Sequence, residues 1–445
     1  MEKGGNMKVK ISGGYLVLPD DSGFKIRKQD IFIIDGTINY EWNGEIDRII
    51  SAFEKVIMPA FTNAHHHIYS TLSKGIPCQL PFKDFEHALK NLWWTLDKTL
   101  AKDHVKLSTT LTARDSLLNG VTTVFDHHIS CGFIENSLSE MAQILSDHEI
   151  SGSLCFETSD RNGEKIFERS LKENLRFENE ARDKNIKGMI GLHAAFTLSD
   201  KSLKKISEAI GKKSIHIHIA EGELDEIQSN KLYNMNVIER LNSFGLLNDG
   251  SFLVHCSNLN EKELEIISGK NLYIVQAVDS NMNNAQNIGK TSRFMEKKIP
   301  VLSGTDGMTS NMLKSWKNTF LVLKYLNQDP DTGFAEMNSL LHNSYNLKNS
   351  FGLSLGVFEN EPADLVILDY EPATVFSNDT FLAHFIYGIT ESRVQYVIKN
   401  DKILVDNFSL NLSNETEQKY NQLLMDKLKI SNDLFKKFEK NKGSY

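Results

Sequence analysis

The sequence predicts a closed (β/α)8 TIM barrel, an α/β fold, joined to a smaller discontinuous β-sandwich domain formed by the N- and C-terminal segments. Two observations predict the barrel. Between residues 57 and 360, buried-strand patterns alternate with helical ones, as a parallel sheet requires. Eight such units suit a closed barrel, and roughly 300 residues leave room for insertions. A third observation predicts the smaller domain: short β-rich runs precede this region and return after it. An open doubly wound sheet is the alternative. It would place its site at one switch point, whereas here metal-capable residues end several strands.

Residues 8–11, 15–18, 30–34 and 37–40 are β-rich runs separated by Gly, Asp and Pro, with Asp35-Gly36 as a hairpin turn. The expected barrel strands are 56–63, 121–126, 153–157, 188–193, 214–219, 251–255, 272–276 and 300–304. Helical patterns lie between them at 103–119, 134–147, 170–184, 201–211 and 235–244. The insertion 70–102 holds Pro77, Pro81, Trp93 and Trp94 and is too long for a simple strand-to-helix loop, so it is expected to cover the barrel mouth. Trp93 and Trp94 are adjacent on a predicted helix and face different directions. Either one lines a pocket for a flat substrate, or both pack the lid onto the barrel. Strand character returns at 363–369 and 394–405, with Lys399-Asn400-Asp401 as a turn. The expected division is therefore 1–57 with 361–412, a barrel at 58–360, and a helical tail at 413–445, docked through the region of Leu423, Leu424, Leu428 and Phe435.

A net charge of −8 offers no basic face for phosphates, so no nucleic-acid partner is expected. No stretch approaches the length of a membrane span, and the first ten residues have no apolar run behind their lysines, so neither a membrane partner nor a signal peptide is expected. Cys78, Cys131, Cys155 and Cys256 show no Cys-x-x-Cys spacing and read as reduced thiols of a cytoplasmic protein.

The chemistry lies at the strand ends. Strand alternation points His65 and His67 the same way and His66 the other. Strand five carries His216 and His218 and then Glu221; strand six ends in His255; strand eight ends in Asp306. In a barrel these ends share one mouth. Each alone has a bland reading, such as a histidine satisfying a carbonyl or a Gly-x-Asp-Gly turn. Together, in the order His-x-His, His-x-x-Glu, His, Asp, they do not read as packing.

The chain resembles the amidohydrolase superfamily, in its cytosine-deaminase-like and chlorohydrolase-like branch, and within that the SsnA-type aminohydrolases. The resemblance is carried by Asn63-Ala64-His65-His66-His67, Leu92-Trp93-Trp94-Thr95-Leu96-Asp97, Thr122-Thr123-Val124-Phe125-Asp126-His127-His128, His216-Ile217-His218-Ile219-Ala220-Glu221, Leu253-Val254-His255-Cys256, Ser280-Asn281-Met282 and Gly304-Thr305-Asp306-Gly307. These span most of the chain, and they specify the superfamily far better than any substrate.

The resemblance implies one divalent metal per chain, held by His65, His67, His218 and Asp306. Zinc is the expected ion, with iron or manganese as alternatives. Relatives with two metals bridge them through a modified lysine at the end of strand four. Here that strand ends in His193 and its nearest lysine, Lys187, precedes it, so a single ion is expected. By the same resemblance, the metal lowers the pKa of a bound water and Asp306 accepts a proton from it. His255 orients the attack, Glu221 shuttles the proton, and His193 contacts substrate. Trp93 and Gln276 are the other expected substrate contacts. His127 and His128 are left between pocket and support, and His216 is set aside as a ligand. Two departures bear on the substrate. His193-Ala194-Ala195-Phe196 stands where relatives read His-Ala-Pro-Tyr, and Gln276-Ala277-Val278 stands where they read His-Asn-Pro.

The implied activity is hydrolytic deamination at an amidine-like carbon of a small nitrogen heterocycle. Ring opening of a cyclic amide, or dehalogenation, would use the same site. A metal-binding accessory protein without turnover would not need Glu221. Dimers are common among similar proteins, which makes a homodimer the assembly to test.

Overall fold

In the computed structural model, the structure describes residues 7–20, 23–78, 80–181, 184–328 and 332–444. Residues 1–6, part of the leader reading, and residues 182–183 of the expected helix 170–184 lie outside the described residues. The chain opens with β1 (Val9–Asp20), β2 (Gly23–Ile34), β3 (Thr37–Asn39), β4 (Arg48–Ser51) and β5 (Val56–Pro59). The runs 8–11 and 15–18 belong to a single strand, β1, whose pairing with β2 shifts register between Ile11 and Gly14. Asp35 and Gly36 both take positive φ, 52° and 80°. That is the two-residue turn whose twist matches its flanking strands.

The barrel follows in β6 (Phe61–His66), β7 (Val121–His128), β8 (Ser151–Phe156), β9 (Ile186–Gly188), β10 (Ile190–Ala194), β11 (Ile215–Ile219), β12 (Phe252–His255), β13 (Tyr273–Gln276) and β14 (Val301–Ser303). β6 to β9 form one parallel run and β10 to β14 another. β9 and β10 are successive pieces of one strand interrupted at Met189. Parallel bridges between Thr158 and Leu192, and between His66 and Asp306, join the two runs on both sides and close the barrel. Phe125 and Phe252, ring centroids 5.1 Å apart, pack in its apolar interior.

β15 (Asp364–Leu368), β16 (Val394–Lys399), β17 (Lys402–Asp406) and β18 (Ser409–Leu410) return to the N-terminal strands. Among the described residues they form one nine-stranded sheet, ordered β18-β17-β16-β15-β5-β1-β2-β3 with β4 beside β1. The sheet doubles over. Ala363 N donates to Gly36 O and Ile38 N to Glu361 O, both at 2.9 Å, around a core that includes Ile11, Ile33, Ile57, Leu365 and Ile398.

One predicted strand divides. The run 56–63 is two strands in two sheets: β5 pairs with β1 and β15, and after Ala60 β6 pairs with β7. The change of partner falls between neighbours, since Ala60 N donates to Asp364 O and Phe61 N to Gly120 O. Continuous apolarity reports burial on both faces and says nothing of which sheet supplies the neighbours.

A buried polar cluster ties the small sheet to the barrel. Asp364 accepts from Lys348 Nζ and from Thr122 Oγ1, each at 2.7 Å, and Lys399 Nζ donates to Ser151 Oγ at 2.6 Å. Burial opposes charge on Asp364, but Lys348 and Lys399 hold its carboxyl below the usual carboxylate range. Asp364→Asn keeps the shape and leaves Lys348 buried without its counter-charge. It is expected to cost about 3–5 kcal/mol of unfolding free energy, read by urea denaturation; an unchanged midpoint would show the cluster to be energetically neutral.

The C-terminal helix Asn414–Asn441 docks, but not on the stripe the sequence suggested. Ile430, Leu434 and Phe438, at i, i+4 and i+8, are buried, while Leu428 is 74% exposed and Phe435 36%. Arg114 on the helix Lys102–Leu118 donates to Glu417, and Asn441 to Thr99. The four cysteines are free thiols. Among the described residues no helix is long and apolar enough to cross a membrane.

Candidate active site

Period-two alternation stacks the histidines in layers inside the barrel. In the lower layer His65 Nδ1 and His216 Nε2 share a hydrogen bond of 2.8 Å, and His127 stacks on His216 with centroids 4.8 Å apart. In the upper layer the Nε2 atoms of His67 and His218 face each other at 3.2 Å, and those of His218 and His65 at 3.3 Å. Asp306 Oδ1 lies 3.1 Å from His67 Nε2 and 3.8 Å from His65 Nε2.

These spacings fit a cation. His67 Nδ1 lies 2.6 Å from the His127 carbonyl, which only accepts, so the proton sits on Nδ1 and the lone pair on Nε2. That lone pair faces a carboxylate oxygen and another imidazole. Four donors about 2.0–2.1 Å from a tetrahedral zinc would stand about 3.3 Å apart, close to what is seen. The electrostatics agree. Burial opposes charge on His67, yet Asp306 against it carries the group up to about 10. Burial likewise opposes charge on Asp306, and His67 holds it well below the usual carboxylate range. Asp306 and His67 thus favour each other's charged forms.

Neighbouring groups fix these side chains. His66, on the outer face, donates from Nδ1 to Asp306 O at 2.8 Å. Asp306 takes a positive φ of 52°, and its N–H and that of Thr305 both donate to His65 O at 3.0 Å. A Cβ at Gly304 would come within 2.7 Å of the His65 backbone, so only glycine lets β14 approach β6 this closely.

His255 and Glu221 stand beyond the donor cluster. His255 Nε2 is 3.7 Å from both Asp306 Oδ2 and Glu221 Oε2. Its tautomer is set by Asn281. Asn281 Nδ2 donates to Asn287 O at 2.8 Å, so its Oδ1 accepts from His255 Nδ1 at 2.9 Å and the Nε2 lone pair faces the two carboxylates. Burial raises Glu221 above the ordinary carboxylate range. Ala220 and His255 also take positive φ, 45° and 70°, so two strand ends at the mouth hold non-glycine residues in the left-handed region.

A cavity opens over this cluster. One side presents His67, His193, His218, Glu221 and Asp306, another Ser280, Asn283 and Asn284, and the lid adds Leu89, Trp93 and Trp94. His193 Nδ1 meets Thr197 Oγ1 at 3.0 Å; because Thr197 donates to Ala194 O, His193 keeps its Nε2 lone pair. The far wall is charged. Arg161 donates to Glu157 Oε2 and Asp97 Oδ2, each at 3.1 Å, all three side chains being buried. Burial pushes Glu157 up to about 8 and Asp97 up to about 6, with Arg161 opposing.

The match to known proteins follows this geometry. A model of the amidohydrolase family matches residues 56–404. The chain belongs to the amidohydrolase family. This amidohydrolase is therefore a hydrolase of carbon–nitrogen bonds, as the resemblance implied. It is 25% identical over 413 residues to the 5'-deoxyadenosine deaminase of Methanosarcina barkeri, covering 90% of this chain and 93% of that protein. It is 26% identical over 419 residues to the 5-methylthioadenosine/S-adenosylhomocysteine deaminase of Syntrophomonas wolfei, covering 92% of each. A zinc-bound adenosine deaminase from Xanthomonas campestris shares the fold, with a TM-score of 0.78 at 18% identity over 94% of this chain and 99% of that one.

The amidohydrolase departs from the sequence reading in the cavity wall. Gln276 is not among the cavity residues. Its amide is spent within the turn, Nε2 donating to Gly289 O at 2.5 Å and Oε1 accepting from Thr291 Oγ1 at 2.6 Å. Trp93 and Trp94 both line the cavity, against the expectation that adjacent residues diverge. The segment Leu89–Trp93 is a π-helical turn, which changes the angular step between neighbours. His127 faces the barrel interior and His128 the outer side, where its Nε2 meets Ser130 Oγ at 2.9 Å; neither lines the cavity. Sequence reasoning gave no role to Asp97, Glu157, Arg161 or Asn281. Glu157 ends the expected strand 153–157, the signal used for the other strand ends. Asp97 and Asn281 lie in motifs already noted. Arg161, in a loop, had no signal.

Proposed function

We propose that this amidohydrolase removes ammonia from an amidine-like carbon of a small nitrogen heterocycle in the cytoplasm, with one divalent ion, zinc first, held by His65, His67, His218 and Asp306. The observation that carries the reading is the convergence of these four donor atoms, with Glu221 and His255 both beside Asp306. When bound, the metal supplies Lewis acidity that makes water a nucleophile near neutral pH.

The protein's own groups do the rest. Asp306 Oδ2 takes a proton from the attacking water, and His255 Nε2, 3.7 Å from that oxygen, orients the water. Glu221, biased by burial toward its protonated form, gives a proton to the ring nitrogen as the carbon becomes tetrahedral. The proton on Asp306 then passes to the amine, ammonia leaves as the C–N bond breaks, and the hydroxyl proton returns to Glu221 as the carbonyl forms. His193 and Trp93 hold the ring; Trp94 joins Trp93, and Gln276 does not. A single ion is supported by the lining of the cavity, which among the described residues includes no lysine. Lys187 instead lies beside the Phe351 ring, 5.8 Å away.

The relatives' names make adenine nucleosides the first substrates to test, beside guanine, cytosine and cyclic amides. Ammonia release from one ring class is the expected outcome. Ring opening or halide release without ammonia would move the reaction to a different bond.

A further inference from the structure

We infer that Asn284 is a positioning residue for Glu221, so that the turn after β13 orients both Glu221 and His255. The inference rests on the reading above that Glu221 carries a proton. The helix Val278–Asn283 follows β13 and holds His255 through Asn281. Immediately after it, Asn284 Nδ2 donates to Glu221 Oε1 at 3.2 Å. Asn283 Nδ2 donates to Asn284 Oδ1 at 3.1 Å, which fixes the end of the amide that faces Glu221.

The Asn284 backbone is pinned as well. Its N–H donates to Ser280 O at 2.9 Å, and its carbonyl accepts from Gln286 Nε2 at 2.8 Å. Glu221 sits on the turn after β11, next to Ala220 with its positive φ. A glutamate side chain there has three torsions to choose, and its terminal one is broad. The Asn284 hydrogen bond occupies Oε1 and leaves Oε2 facing His255 Nε2. A donor to a carboxylate is among the stronger hydrogen bonds, so its loss frees the rotor of the group that must meet the ring nitrogen.

The test is a double-mutant cycle of Asn284→Leu and Glu221→Ala, assayed on whichever panel heterocycle releases ammonia fastest. Asn284→Leu keeps the size and removes the donor. Asn284→Asp, which also sets two carboxyls against each other, is the second variant. In the otherwise native enzyme, Asn284→Leu is expected to lower kcat roughly ten- to a hundredfold with KM and metal content nearly unchanged. In the Glu221→Ala background it is expected to change the residual rate less than about twofold, because independent sites add and coupled ones do not.

Equal losses in both backgrounds would overturn the inference, as would a raised KM with kcat intact, which would mark Asn284 as a substrate contact. Native kcat in both Asn284 variants, with Glu221→Ala inactive, would overturn this inference alone. Native turnover in Glu221→Ala, or no ammonia from any heterocycle, would overturn the parent reading and this one with it.

Discussion

Glu221→Gln is expected to keep its metal and lose turnover about a thousandfold, within the range a positioned proton carrier supplies. The substitution preserves volume and the hydrogen bond from Asn284, whose donor still finds an oxygen. What it removes is an exchangeable proton beside His255 and Asp306. Glu221 groups with His255 and Asp306 rather than with His65, His67 and His218, so the three histidine donors stay in place. Ammonia release and metal content, measured on the same preparation, separate the two effects. Activity within tenfold of the native enzyme would take the proton carrier away from Glu221.

His218→Ala acts one step earlier and is expected to abolish detectable turnover by releasing the metal. His218 Nε2 faces both His67 and His65, so its loss opens the middle of the donor set. His216→Ala provides the contrast. That ring supports His65 Nδ1 from the layer below, and removing such an outer partner weakens metal binding by roughly 10- to 100-fold rather than ending it. Thermal unfolding with and without added zinc reads the same difference. An ion present at about 1,000 times its dissociation constant stabilises the folded state by about 4 kcal/mol. The native enzyme and His216→Ala are expected to shift upward with zinc, and His218→Ala is not. An equal shift in all three would place the ion elsewhere.

The barrel was legible because its strands are short, apolar and spaced by helices, and a parallel sheet buries both strand faces. The meeting of His65 with His216 and of His67 with His218 follows from alternation once two strands face one interior. The division of 56–63 was not legible, because β5 and β6 are equally apolar and only their partners differ. Nor was the paired placement of Trp93 and Trp94, since a π-helical turn carries no pattern in the sequence. Gln276 misled for a plainer reason. A polar residue at a strand end was expected to face substrate, but its amide is satisfied by Gly289 and Thr291 in its own turn. The wall of Asp97, Glu157 and Arg161 draws on the lid, the end of β8 and a loop, and no local spacing links the three.

The most direct test is the metal content of the purified native chain by elemental analysis, after growth with zinc and iron supplied. About one divalent ion per chain, lost in His218→Ala and kept in Glu221→Gln, is the predicted result. No ion in the native chain, or an ion retained in full by His218→Ala, would contradict the assignment of His65, His67, His218 and Asp306.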